Sequence, residues 1–203
     1  MSYAISDITE EITKRLGIYN VDDTYYQDRA EILFLQALLS LAMSTDEAGQ
    51  NKIPYEDFQP MIEEEQIDFA SIIGLEKIGI STASSATKKL TSTAEKIITL
   101  KVLVEDDYMR KFPLTKEEGE EFYLNTLTYP QETVELFYWF DEKDIVLYAN
   151  IDGETNIIVT YIKQISGYGT DEDFVSDLGF SEIFLNMAID IATESLKREW
   201  SNI

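Results

Sequence analysis

Residues 134–162 read VELFYWFDEKDIVLYANIDGETNIIVTYI. Three apolar runs are separated by two polar turns, the pattern of consecutive strands. Side chains alternate along a strand, so Val134, Leu136, Tyr138 and Phe140 share one face while Glu135, Phe137 and Trp139 share the other. Ile145, Leu147 and Ala149 oppose Val146 and Tyr148, and Ile157, Val159 and Tyr161 oppose Ile158, Thr160 and Ile162. The turns, Asp141–Asp144 and the segment around Asp152-Gly153, are short enough for antiparallel hairpins. A sheet with one wet face alternates more cleanly than this. Either helices cover its second face, or another chain does.

Composition narrows what such a sheet can serve. The chain has 203 residues, 44% of them apolar, enough for a large folded core. It contains neither cysteine nor histidine. That excludes disulfides, thiolate chemistry, the Ser-His-Asp and Cys-His mechanisms and histidine-held metals, and it fits a reducing compartment. The longest apolar stretch, Ile32–Met43, is broken by Gln36 and Ser40, so no membrane span is expected. The acidic N-terminus MSYAISDITEE lacks the basic region of a signal peptide. The net charge is −23. Spread evenly, the net charges lie on the order of 20 Å apart, beyond the Debye length of ~8 Å, so the fold tolerates them. The same charge argues against gripping phosphates or anionic lipid headgroups.

Working outward, residues 5–17 predict a short helix, with Ile5, Ile8, Ile12 and Leu16 at helical spacing, an Asp7–Glu10 capping box and Gly17 as the stop. Residues 24–43 predict a second helix, opened by Thr24 and Gln27, so apolar all round that it reads as central. Residues 44–58 read as a loop, and PMIEEEQIDFASIIG reads as a short helix opened by Pro60, a reading that the β-branched residues near Ile72 and Ile73 leave ambiguous. KIITLKVLV at 96–104 predicts a strand, DDYMRKFPL a turn, and Thr115 with Glu118 a capping box ahead of the helix KEEGEEFYLNT. Tyr129-Pro130 closes that helix, and residues 165–180 read as a loop. Ser181 caps a final helix on which Phe184, Met187, Ala188 and Ile191 form a stripe that Leu185, Ile189, Ala192, Leu196 and Trp200 widen. Of those, Phe184, Met187 and Ile191 are expected to pack on the 24–43 helix.

The fold class is α+β: a helical lobe formed by N- and C-terminal helices with a central antiparallel β-sheet lobe. The parts are 1–58, the N-terminal helical part; 59–178, a β-rich middle with a short inserted helix near 115–126; and 179–203, a C-terminal helix packing back on the N-terminal helices.

Residues 79–94, GISTASSATKKLTSTA, carry no acid and two lysines, Lys88 and Lys89. Loop composition makes this a mobile surface segment, and in a chain so acidic it is also a candidate arm for an acidic neighbour. Ser85 and Lys88 match S-x-x-K, but the companion elements of a serine–lysine hydrolase are missing. The acidic clusters at Asp106-Asp107, Asp141–Asp144 and Asp171–Asp173 lack calcium-loop spacing and read as turns and caps. With 39 acids in the chain, some carboxylate pair falls within glycosidase range in any fold, so that pattern carries no information. No catalytic, metal-binding or cofactor-binding residue stands out. The candidate interface residues are Lys88 and Lys89 in the arm, Phe137, Trp139 and Tyr148 on the sheet, and Trp200 near the C-terminus.

The order of elements resembles a family. DDYMRKFPL, a helix, LFYWFDEKDIVLYAN and NIIVTYIK in the middle, then DLGFSEIFLNMAIDIATESL at the end, are similar to head-to-tail connector (adaptor or ring) proteins of tailed bacteriophages, of the crAss-like type. The resemblance implies a non-enzymatic virion protein without cofactors, assembled in the host cytoplasm. It implies a homo-oligomeric ring of about twelve copies, beneath the portal protein and touching tail or neck proteins. Genomic DNA would pass along the ejection channel without specific binding, and no membrane would be involved. Acidic walls suit that channel, because they repel phosphates. The alternatives are a tail-completion or stopper protein at the same joint, a monomeric module binding a glycan or peptide on the aromatic sheet face, and a carboxylate hydrolase.

Overall fold

A computed structural model describes residues 3–17, 24–44, 53–105, 107–128, 135–169 and 171–201. Most of the predicted loop at 44–58, together with Asp106, Tyr129-Pro130, Val134 and the Thr24 side chain, lies outside the described residues. The protein is α+β, with antiparallel pairing dominant in its two sheets. The chain divides into two compact units: residues 1–62 with 164–203, and residues 63–163. The boundaries read from the sequence, after 58 and after 178, thus move to 62 and 163.

The first unit is helical. Helix α1 (Ile5–Arg15), α2 (Thr24–Met43) and α4 (Glu182–Ser201) pack together, so the C-terminal helix does return to the N-terminal ones. A 3₁₀ turn over Tyr55–Met61 joins them. A file of rings forms the centre: Phe34 to Phe174 at 5.6 Å, Phe174 to Phe180 at 5.7 Å, Phe180 to Phe184 at 6.0 Å and Phe184 to Phe58 at 5.4 Å. Phe174 and Phe180 are what draw the segment after residue 163 into this unit. Asp173 fixes the same segment to the N-terminus, accepting hydrogen bonds from the backbone N–H of Tyr3 (2.7 Å), Val175 (2.9 Å) and Ser176 (3.0 Å). Those bonds hold its carboxyl below the usual carboxylate range.

Three helix readings change. Helix α1 begins at Ile5 behind Ala4, without a side-chain cap, so Asp7 sits in the first turn rather than in a capping box. Helix α2 is not buried all round. Ala30, Leu33, Phe34, Ala37, Leu38 and Leu41 face the core, while Ile32, Gln36, Ser40 and Met43 are exposed. On α4 the buried stripe is Phe184, Leu185, Ala188, Ile189, Ala192 and Leu196; Met187 and Ile191 are 40% and 41% exposed. Ser181 caps α4 as expected, its hydroxyl accepting the Phe184 N–H at 3.2 Å.

The second unit is built of two sheets and one helix. Strands β1 (Ile62–Phe69), β9 (Thr155–Lys163), β4 (Ala94–Val104) and β5 (Asp107–Tyr108) form one sheet in that order. Strands β3 (Lys88–Lys89), β2 (Ile72–Gly79), β8 (Asp144–Ile151), β7 (Leu136–Phe140) and β6 (Lys111–Pro113) form the other. Both contribute to one core, with Ile67, Leu100, Val159 and Tyr161 from the first and Ile78 and Leu147 from the second. Full burial of the Tyr161 ring pushes its hydroxyl up to about 12.

This arrangement corrects the three-strand reading of 134–162. Strands β7 and β8 do pair antiparallel through the Asp141–Asp144 turn. Strand β9 does not pair with β8; it crosses to the other sheet, between β1 and β4. Ile157, Val159 and Tyr161 need an opposing apolar layer, which the first sheet's position across the core supplies and a place beside β8 would not. The helix expected from Pro60 is also absent. Residues 62–79 are two strands, with Ile67 and Phe69 buried and Glu64, Gln66 and Asp68 exposed, an alternation of period two. The predicted turn DDYMRKFPL holds the short strands β5 and β6.

Helix α3 (Lys116–Thr128) covers the outer face of the five-stranded sheet. Its capping box is formed: the Thr115 N–H donates to Glu118 Oε2 at 2.9 Å and the Glu118 N–H to Thr115 Oγ1 at 3.3 Å. A Cβ on Gly119 would lie 2.6 Å from Cε3 of Trp139, so only glycine lets the helix seat on the indole.

Two outcomes follow for thermal unfolding. Gly119→Ala, which raises helix propensity by ~1 kcal/mol in an open helix, is expected to lower Tm here, with an overpacking cost of ~1–3 kcal/mol. Phe184→Ala, at the centre of the ring file, is expected to cost ~3–5 kcal/mol, while Met187→Ala leaves Tm nearly unchanged; equal shifts for the two would misplace the core face of α4.

Candidate functional site

Helix α3 lies over β7, and among the described residues part of the outer sheet face stays uncovered. The contact is aromatic: Phe122 meets Phe137 at 4.3 Å and Tyr148 at 5.7 Å, Tyr123 meets Tyr148 at 6.1 Å, and Phe112 stacks on Phe137 at 5.4 Å. Beside it runs a groove of about 330 Å³. Leu75, Val146 and Trp139 of the sheet and Tyr123 and Leu124 of α3 make its apolar walls. Lys77, Glu120 and Asp141 stand on its rim. Asp141 is held by Lys116 Nζ at 2.8 Å and by the Glu142 N–H at 2.8 Å. Lys116 thus keeps the Asp141 carboxyl below its usual range, and Asp141 raises the Lys116 ammonium in turn.

The segment 79–94, expected to be mobile, is folded against the end of this sheet. Ser84 carries it. The Ser84 hydroxyl donates to Asp144 Oδ1 at 2.6 Å and accepts the Ala86 N–H at 2.9 Å, and both Ser84 and Asp144 are buried. Lys89 Nζ donates to the Ser84 carbonyl at 2.6 Å. Leu90 is buried and its N–H donates to the Gly79 carbonyl at 3.0 Å. A Cβ at Gly79 would overlap Ser84, so glycine permits the close approach. A hydroxyl with a buried carboxylate to bond repays the ordering of a segment that composition alone marks as loop.

The six interface candidates separate. Phe137 and Tyr148 are half-buried beneath α3, and Trp139 is only 3% exposed, so α3 covers that part of the face within the chain itself. Lys88 and Lys89 are exposed on β3, with Lys88 Nζ 5.6 Å over the Phe69 ring. Trp200 belongs to the helical unit and packs edge-on to Tyr26 at 5.5 Å. Sequence reading missed Ile73, Leu75, Leu124 and Val146 as members of one surface. The signal was the alternation through 62–79, which the reading of a helix after Pro60 obscured.

Chemically, the groove suits an apolar side chain. Among the described residues no three acidic side chains converge to hold a metal. The carboxylates with the clearest partners, Asp141, Asp173 and Glu118, cap turns and helix ends. No family model and no curated protein matches the sequence.

Ser84→Ala leaves the buried Asp144 without its hydroxyl donor, and is expected to cost ~1–3 kcal/mol. Hydrogen exchange should then accelerate across residues 81–90 more than in β8; a uniform change would show that Ser84 does not pin the segment.

Proposed function

We propose that this chain is a structural, ring-forming head-to-tail connector of a tailed phage neck, joining portal to tail around the DNA exit channel. The observation that carries the reading is a second apolar stripe on the helical unit. Ile183, Met187 and Ile191 recur every four residues on the outer side of α4, opposite its core face. Apolar side chains aligned on a surface mark a place for another protein. The resemblance in element order supplies the kind of assembly, and the net charge of −23 suits walls along which DNA slides without adhering. The rival reading of an open aromatic sheet platform for a glycan or peptide is weakened, because α3 occupies that face and Trp139 is buried.

Native mass spectrometry of the chain, alone and co-expressed with its portal protein, is the test. A closed oligomer of about twelve 23.3 kDa copies is expected with the portal, strengthened by salt that screens repulsion between acidic subunits. A chain that remains monomeric beside the portal, and is absent from purified particles, overturns the reading.

A further inference from the structure

Among the described residues, the outer edge of β2 is open along most of its length. Strand β8 pairs with all of Ile72–Gly79 on one side, while β3 flanks only Ile78 and Gly79 on the other. The phase of the ladder follows from the next pair, where the Ile80 N–H donates to the Lys143 carbonyl at 2.9 Å. Bonded and non-bonded pairs alternate in an antiparallel ladder. Ile72, Gly74, Glu76 and Ile78 therefore direct their main-chain groups at β8, and Ile73, Leu75 and Lys77 direct theirs away from it. Gly79 agrees with this phase, since its carbonyl accepts from Leu90 on the outer side.

The same three residues hold the side chains of the outer face. Leu75 and Lys77 line the groove under α3, and Ile73 is 63% exposed. Main-chain donors and acceptors beside a pocket for alternate side chains are the two requirements of strand addition. A groove of about 330 Å³ takes one or two apolar side chains rather than a folded element.

Charge selects the occupant. Residues 77–104 contain five lysines and one glutamate, a net +4 in a chain of −23, so the rest of the chain carries −27. Of these, Lys96 and Lys101 lie on β4 in the other sheet, while Lys88 and Lys89 lie at the β3 end of the open edge beside Lys77, whose Nζ is 3.8 Å from Asp144. The rim carboxylates Glu120 and Asp141 stand on or beside α3, with Asp141 tied to Lys116. We propose that the open edge of β2, together with the groove beside α3, receives an extended, acid-bearing segment from a second copy of this chain. An edge that receives a different segment of its neighbour makes a head-to-tail contact, the kind that closes into rings. The proposal rests on the ring reading and names the contact that builds the ring.

Three variants probe it. Ile73→Pro removes an N–H that points away from β8 and so spares the ladder. Leu124→Glu puts a charge at the groove wall on a residue 63% exposed. Lys88→Glu with Lys89→Glu reverses the exposed cations. The Tm of each monomer establishes that it folds, and Leu124→Glu, on a residue 63% exposed, keeps the test open should Ile73→Pro not fold. Each variant is expected to need about tenfold more protein to assemble than wild type, the equilibrium change for losing one or two hydrogen bonds or their equivalent. In wild-type oligomers the amides of Ile73 and Leu75 should exchange more slowly than in the monomer. Wild-type rings with unchanged exchange there, or variants that assemble like wild type, overturn this contact and leave the ring reading standing. Protection by portal of a chain that is still monomeric assigns the edge to that protein and overturns the second-copy occupant. A wild-type chain that never assembles overturns both.

Discussion

The β7–β8 hairpin is apolar on both sides, and no place on a protein surface satisfies such a hairpin. Each buried aliphatic or aromatic side chain contributes roughly 1.5–3 kcal/mol only if water leaves it. Leu136, Ile145 and Leu147 lose their water to the opposing sheet, and Trp139 and Val146 to the side of α3. The second unit is organised around that double demand. The crossing of the chain after Ile151, the capping box that aims α3 and the bare Cα of Gly119 under the indole all serve to supply the two covers. Where α3 stops short, the outer face remains as a groove, so the candidate site is what the second cover leaves undone.

Acidity shapes the rest. A net charge of −23 disfavours compactness through self-repulsion, yet surface ion pairs recover only ~0–1 kcal/mol each. The fold instead gives key carboxylates local work. Asp173 gathers three N–H groups and fastens the N-terminus, Glu118 closes its capping box, and Asp144 holds Ser84. The forked contact of Arg29 with Glu199 ties α2 to the end of α4. Lysines are concentrated in residues 77–104, so the molecule has a polarity of charge along its sequence that a uniform acidic surface would lack.

In the proposed ring, where each subunit meets its own copies, this polarity would solve a problem. Like-charged monomers repel at every orientation unless one face is set apart from the rest. Lys88 and Lys89 on β3 mark such a face, beside an edge of β2 that no other described strand pairs and an apolar groove. The apolar outer stripe of α4 lies on the other unit, so each unit carries its own surface suited to a neighbour.

What the sequence determined by itself was local. Short apolar runs placed β4, β7, β8 and β9, apolar helical stretches placed α1, α2 and α4, caps set the starts of α3 and α4, and composition excluded histidine and cysteine chemistry. These depend on residues near one another in the chain, and their physics is complete at that range. Tertiary structure decided the partners. Whether β9 continues a hairpin or crosses to a second sheet depends on which layer buries Val159 and Tyr161, and the turn at Asp152-Gly153 permits both. Whether Met187 or Leu185 faces inward depends on the ring file around Phe184, whose members come from 34 to 184. Segment 79–94 looks like a loop until Asp144, sixty residues on from Ser84, offers its carboxylate. Burial of a side chain, and the bond that orders a polar segment, are properties of what lies opposite, and the sequence does not say what lies opposite.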